Sequence, residues 1–341
     1  MNATTGRQIV LTARPKGKPQ LTDFRFEEVT IPAPSSGQVL LAVQYLSLDP
    51  YMRGRMDDRK SYAKPVQLGD VMVGEAIARV IASCHPDYSE GDIVLAHTGW
   101  RTHALSDGAG VRKVDPSLAP VTTRLGVLGM PGFTAYAGLR LIGKPQPGET
   151  LVVAAASGPV GSLVGQLAKM AGARAVGIAG GPRKCAYVKD QLGFDAAIDH
   201  HKPSFAAELA VACPDGIDVY FENVGGEVWQ AVLPLLNKFA RVPISGLIAW
   251  YNGAGPGDGT DHLPATMREI LSKSLTLRGF INYELAEQHY AQFLREVGAG
   301  IADGRIRYRE DIVDHLEKAP EAFIRMLEGH NFGKVIVRVA V

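Results

Sequence analysis

The chain has 341 residues, a formal net charge of +1 and 21% charged residues. At roughly 100–200 residues per domain this length suits two domains, each able to bury a core. The near-neutral balance excludes the basic face of a nucleic-acid binder and the polybasic stretch of a membrane-surface protein.

Three cysteines, Cys84, Cys185 and Cys213, lie far apart with no CxxC pair. That excludes a disulfide framework and a zinc ribbon. The first residues lack the basic, apolar, small-residue order of a signal peptide, and no run has the length of a membrane span. A cytoplasmic protein is expected.

In chain order, the first part holds short alternating or β-branched runs at Val39–Tyr45, Val71–Ile81 and Gly91–Ala96. They are punctuated by Pro32, Pro34, Pro50, Pro65 and Pro86. This texture predicts a β-rich domain with many turns. A helical segment begins after Gly129-Met130-Pro131-Gly132. From Pro147 the texture changes. Thr150–Ala156 is wholly apolar apart from its first residue, as befits a strand covered on both faces of a parallel sheet. Val160, Leu163, Val164, Leu167, Ala168 and Ala171 then follow helical spacing up to Gly172.

Strand and helix alternate from there. Strands are predicted at Ala175–Ala179, Ala196–Ile198, Val219–Phe221, Arg241–Ile244 and Leu275–Asn282. Helices are predicted at Pro182–Leu192, Phe205–Ala212, Val228–Leu236 and Ala286–Ala302. This alternation predicts an α/β fold with a doubly wound parallel sheet of the Rossmann type. Val335–Val339 is a closing strand that returns to the first domain, and Gly253–Gly259 reads as a mobile rim.

The turn Ala156-Ser157-Gly158-Pro159-Val160-Gly161 joins the first of these strands to its helix. A dinucleotide pyrophosphate needs backbone N–H groups at such a place, and small residues let the backbone approach. The end of the second strand distinguishes NAD from NADP. An NAD site usually carries Asp or Glu there to accept from the ribose hydroxyl. This chain instead reads Gly180-Gly181-Pro182-Arg183-Lys184. Lys184 is read as the principal partner of a 2′-phosphate and Arg183 as the secondary one. The expected cofactor is NADPH/NADP.

Four motifs carry a resemblance: the AASGPVG turn, Asp49-Pro50-Tyr51-Met52-Arg53-Gly54, the segment Gly129–Tyr136, and Glu222-Asn223-Val224-Gly225-Gly226. Asn331-Phe332-Gly333-Lys334 fits as well. Together they resemble the zinc-independent medium-chain dehydrogenase/reductases, in the branch of the prostaglandin, alkenal double-bond and bacterial curcumin reductases. The resemblance implies a GroES-like β-rich catalytic domain (residues 1–128) and a Rossmann NADP-binding domain (129–303). Residues 304–341 would return to the catalytic domain, with the cofactor in the cleft and a homodimer as the assembly.

It further implies that Lys184 meets the 2′-phosphate and that Met130, Thr134, Asn223 and Asn331 touch the cofactor. Two segments would flank its adenine or nicotinamide end: Ser245, Gly246, Leu247, Ile248 through Tyr251, and Phe280, Ile281, Asn282. His200 stands where animal prostaglandin reductases carry a tyrosine near the 2′-phosphate. Ser272 stands where they carry an active-site tyrosine, which leaves Tyr51 and Tyr251 as the candidate catalytic phenols.

The Gly-His-Glu element of the zinc enzymes reads Gly69-Asp70-Val71-Met72-Val73-Gly74-Glu75, and no cysteine quartet follows. No metal is expected, and His97 and His103 are read as loop histidines. Hydride addition to an α,β-unsaturated ketone or aldehyde leaves an enolate that hydrogen bonds alone can hold. A phenol suits that task, since it donates at neutral pH. Trp250, Tyr251, Met130, Phe280 and Tyr283 are candidates to line an apolar slot for a bulky small-molecule enone. Two other readings stay open: an NADPH:quinone reductase, and a non-catalytic NADPH-binding module.

Overall fold

The computed structural model describes residues 3–253 and 260–339. Most of the Gly253–Gly259 rim, residues 254–259, lies outside the described residues. The chain divides into two compact units, Met1–Leu125 with Glu310–Val341 and Gly126–Arg309.

The first unit opens with an antiparallel hairpin of β1 (Thr4–Leu11) and β2 (Phe24–Ile31). Next come β3 (Val39–Ser47), the short helix α1 (Tyr51–Arg55), β4 (Ala76–Ser83), β5 (Ile93–Ala96), β6 (His103–Ser106) and β7 (Arg112–Lys113). The chain re-enters this unit through β14 (Glu310–Asp314), α9 (Ala319–Leu327) and β15 (Lys334–Arg338). The resulting sheet runs β14-β15-β3-β4-β5-β7, and β6 also pairs with β3. Its core joins segments far apart in sequence. Trp100 is fully buried, stacks on Phe24 at 5.6 Å and meets the edge of Phe323 at 5.6 Å. Aromatic pairs in such offset and edge geometries add to the gain from burial.

The second unit begins with α2 (Met130–Ala137), continued by a wide helical turn over Gly138–Gly143. Then β8 (Thr150–Val153), α3 (Pro159–Met170), β9 (Arg174–Ala179), α4 (Pro182–Ala186), β10 (Ala196–Asp199), α5 (Phe205–Ala212) and β11 (Ile217–Phe221) alternate. They are followed by α6 (Gly226–Val232), β12 (Leu236–Ile244), α7 (Leu263–Lys273), β13 (Thr276–Gly279) and α8 (Ala286–Ala302). All six strands are parallel, in the order β10-β9-β8-β11-β12-β13. Counted from β8 this is the 3-2-1-4-5-6 order of the Rossmann sheet, whose halves diverge between β8 and β11. Every residue of β8 is buried, as its apolar run requires.

Two strands are shorter than their apolar runs. The first ends at Val153 because Ala155 turns into the left-handed region at φ 51°. The sixth ends at Gly279, and Phe280 to Asn282 form the turn beyond it. His103 opens strand β6 and is not in a loop.

Candidate cofactor and active site

The Rossmann sheet presents its carboxyl-terminal strand ends as one row of turns, where the switch in strand order leaves room for a ligand. At the end of β8, Ala156 donates its amide to the Ile178 carbonyl at 2.9 Å, and Gly158 donates to Ala155 at 2.8 Å. Gly158 caps α3 with extended backbone, and Pro159 follows at the first helical position. Proline there removes a donor that the helix leaves unused anyway, while the amides of Val160 and Gly161 have no acceptor within the first turn. Gly161 cannot be enlarged in place: a Cβ would lie 2.5 Å from the Ala155 carbonyl oxygen. The turn therefore brings bare backbone to the helix start, the shape that a pyrophosphate cradle needs.

At the end of β9, Gly181 has φ 85° and starts α4, on which Arg183 is exposed and Lys184 half-buried. The carboxylate at this place comes from the next strand. Asp199 ends β10, and its Oδ1 accepts the amides of Gly181 at 2.8 Å and His201 at 3.0 Å. Burial opposes its ionisation, but these amides and the neighbouring imidazoles hold the carboxyl below its usual range. The rings of His200 and His201 lie 4.3 Å apart over Gly180, where a Cβ would come within 2.8 Å of His201. Burial depresses the His200 pKa, with His201 and Lys184 adding to that and Asp199 opposing it.

Glu222 organises the end of β11. It is 2% exposed and accepts the amides of Val224 at 2.7 Å and Gly225 at 2.9 Å and the Tyr220 hydroxyl at 3.1 Å. Burial pushes its carboxyl up, and these donors oppose the rise. Asn223 bridges two strand ends: its amide donates to the Ala154 carbonyl at 3.1 Å, and its Oδ1 accepts the Ser245 hydroxyl at 2.5 Å. Ile248 and Ala249 donate backward to the carbonyls of Asn223 and Val224. The Ser245–Tyr251 segment is thereby stitched onto the Glu222–Gly225 turn. The Trp250 ring packs over Gly225, and the Tyr251 hydroxyl sits over Gly246 and accepts the Leu247 amide at 3.4 Å.

Beyond β13, Asn282 donates to the Met130 carbonyl at 3.3 Å and the Thr134 hydroxyl at 3.1 Å. Thr134 in turn donates to the Met130 carbonyl at 2.8 Å. Most of the residues singled out in this unit are thus joined through adjacent turns, from α2 to the ends of β8, β11, β12 and β13. Phe280 differs from the expected slot lining. Its ring is buried, lies edge-on to Phe221 at 6.5 Å and covers Gly138, so it belongs to the core under the turn. Tyr283 is 59% exposed. Ile281 donates its amide to Glu284, and Ser272 lies on the exposed side of α7.

In the first unit, Tyr51 opens α1 beside the core, with the Arg55 guanidinium 5.7 Å from its ring centroid. Burial first, and then the Asp49 and Glu75 carboxylates, push its phenol far above the ordinary value. Arg53 is buried and donates to Asp57 and the Gly17 carbonyl, so the arginine of the DPYMRG motif ties down neighbouring loops. Asn331 donates to the Gly333 carbonyl at 2.8 Å. Glu75 pairs with Arg112 at 3.1 Å and with His97 at 3.7 Å. Among the described residues no group of three or more His, Cys, Asp or Glu side chains is arranged to hold a metal ion.

Sequence reasoning missed the parts played by Asp199 and Glu222. Both stand beside residues it had singled out, but nothing local shows which amides a carboxylate will bind.

The strand order and the glycine turn define a dinucleotide-binding α/β protein. Residues 7–114 match the model described as the N-terminal domain of oxidoreductase, and residues 159–299 the model described as zinc-binding dehydrogenase. The chain is 52% identical over 334 residues to the NADPH-dependent curcumin reductase of Escherichia coli (strain K12), covering 98% of this chain and 97% of that one. It is 40% identical over 327 residues to prostaglandin reductase 1 of Bos taurus, covering 94% and 95%. The crystal structure of CurA in complex with NADPH from Vibrio vulnificus superposes with a TM-score of 0.94 at 49% identity, over 98% of this chain and 99% of that one. The chain belongs to the medium-chain dehydrogenase/reductase family, in the branch of the curcumin and prostaglandin reductases.

Proposed function

We propose that the protein reduces the carbon–carbon double bond of α,β-unsaturated ketones and aldehydes with NADPH, without a metal ion. The full-length likeness to the NADPH-dependent curcumin reductase carries this reading. The strand-end geometry supports it. The Ala156–Gly161 turn, bare of side chains where Gly161 meets Ala155, fits a pyrophosphate. Lys184, Arg183 and His200 beside the Gly180–Gly181 turn suit a 2′-phosphate, for which a charge-assisted contact is the strong kind. Asn223, Ser245–Tyr251, Met130, Thr134 and Asn282 would hold the remainder.

The cofactor, when bound, supplies the hydride. The protein's task is then to orient the enone and to meet the charge that arrives on its carbonyl oxygen. Tyr51 and Tyr251 are the phenols proposed for that. Because its pKa is pushed up, Tyr51 stays protonated throughout the working range and serves as a hydrogen-bond donor, which does not require it to ionise.

A cytoplasmic homodimer is the proposed assembly. Leu263, Met267 and Leu271 lie four residues apart on α7, the helix that precedes the edge strand β13, and are 62%, 55% and 82% exposed. One apolar face of this kind suits a second copy of the chain. The three cysteines are free thiols, as a reducing compartment would keep them.

NADPH oxidation should be followed with a long-chain alkenal, an aryl enone, a benzoquinone and a saturated aldehyde. The reading requires fast turnover with the first two and a saturated carbonyl product. Turnover confined to the quinone, or none with any acceptor, would refute it.

A further inference from the structure

The NFGK motif ends on a lysine that none of the roles above uses. Lys334, the first residue of β15, is 2% exposed. Its ammonium donates to the Leu48 carbonyl at 2.7 Å and to Asp49 Oδ1 at 2.5 Å. The other carboxylate oxygen of Asp49 accepts the Ser47 hydroxyl. The same stretch is gripped by backbone: Ile336 faces Ser47 across the β15–β3 ladder, and Leu48 donates to the Val335 carbonyl at 3.2 Å. Asp49 then accepts the Met52 amide at 3.1 Å, and Pro50 accepts the Arg53 amide at 3.1 Å. These two bonds start α1, whose first residue is Tyr51.

A buried ion pair is a poor source of stability, because desolvating two charges offsets most of their attraction, and apolar replacements of similar size are often as stable. This pair is buried, with the carboxylates of Glu75 and Glu310 close enough to feel Lys334, and it fixes Leu48 and Asp49 ahead of Tyr51. The geometry points to Lys334 as a positioning residue for Tyr51: through Asp49 it sets the origin of the turn that carries the phenol. The inference rests on the reading that Tyr51 meets the substrate oxygen. Misplacing a reacting group by about 1 Å can lower a rate by about a hundredfold.

The test compares Lys334→Met, Lys334→Met with Asp49→Asn, Tyr51→Phe, and Lys334→Met with Tyr51→Phe. The readouts are kcat with an enone, KM for NADPH and Tm. Lys334→Met leaves a buried carboxylate unpaired and lowers Tm; adding Asp49→Asn removes that charge and restores Tm. Positioning predicts that the Lys334→Met, Asp49→Asn enzyme regains Tm while kcat stays at least tenfold down and KM for NADPH stays within twofold. It also predicts that Lys334→Met costs less than a further twofold once Tyr51 is Phe. Recovery of kcat along with Tm would show charge balance alone and overturn the inference. So would an undiminished Lys334→Met effect in the Tyr51→Phe enzyme. Full turnover by Tyr51→Phe itself would instead overturn the reading beneath it, and is seen in that variant alone.

Discussion

The carboxylate of Asp199 and the amide of Gly181 are joined by a 2.8 Å hydrogen bond that links the ends of two neighbouring strands. The acid at this end of the sheet is engaged by backbone, and it shapes the glycine turn ahead of Arg183 and Lys184. Because the Asp199 pKa is lowered, its contribution to stability is present above the ordinary carboxylate value of 3.8 and is lost as the pH falls through the folded value. Asp199→Ala should weaken NADPH binding about tenfold, which corresponds to ~1.4 kcal/mol. It should also reduce the stability difference between pH 7 and pH 3. Titration calorimetry and acid unfolding check the two effects.

Lys184→Ala should raise the Michaelis constant for NADPH at least tenfold and leave that for NADH within twofold, since only NADPH carries the 2′-phosphate. Equal effects on both cofactors would place Lys184 elsewhere.

Burial pushes the His200 pKa below the usual imidazole value, His201 and Lys184 add to that, and Asp199 and Glu227 pull the other way. A bound dianion favours the charged imidazole, so the folded protein should take up a proton there as NADPH binds. NADPH affinity should therefore tighten from pH 8 to pH 6.5 more steeply in the wild type than in His200→Gln. NADH affinity should show no such difference. Binding curves at four pH values decide this.

Gly161→Ala places a methyl group 2.5 Å from the Ala155 carbonyl oxygen, a backbone atom that has little freedom to move. Overpacking of this kind costs about 1–3 kcal/mol. The variant should melt several degrees lower and lose NADPH affinity more than it loses stability. A thermal melt with and without NADPH separates the two.

The elements of the Rossmann unit were legible because their signals are local. Thr150–Val153 is a short apolar run, Phe205–Ala212 and Ala286–Ala302 have the bounds that their spacing suggests, and glycine turns mark most strand ends. The misjudged details depend on partners distant in sequence. Whether the Phe280 ring faces a slot or the core is decided by Phe221 and Gly138. His103 lies in a strand because β3 pairs with it. The ion pair of Lys334 with Asp49 crosses nearly the whole chain, and no window along the sequence could show it. The glycine cradle was read from one contiguous motif. The carboxylates that hold its neighbouring turns, Asp199 and Glu222, show their use only once the strand ends stand side by side.

The central claim is tested most directly by following labelled hydride. The enzyme is supplied with an enone and NADPH deuterated at the transferring C4 position, and the product is examined by NMR and mass spectrometry. The account predicts one deuterium on the β-carbon of a saturated ketone, with the α-carbon hydrogen drawn from solvent. Deuterium on the carbonyl carbon of an allylic alcohol, or no labelled product at all, would contradict it.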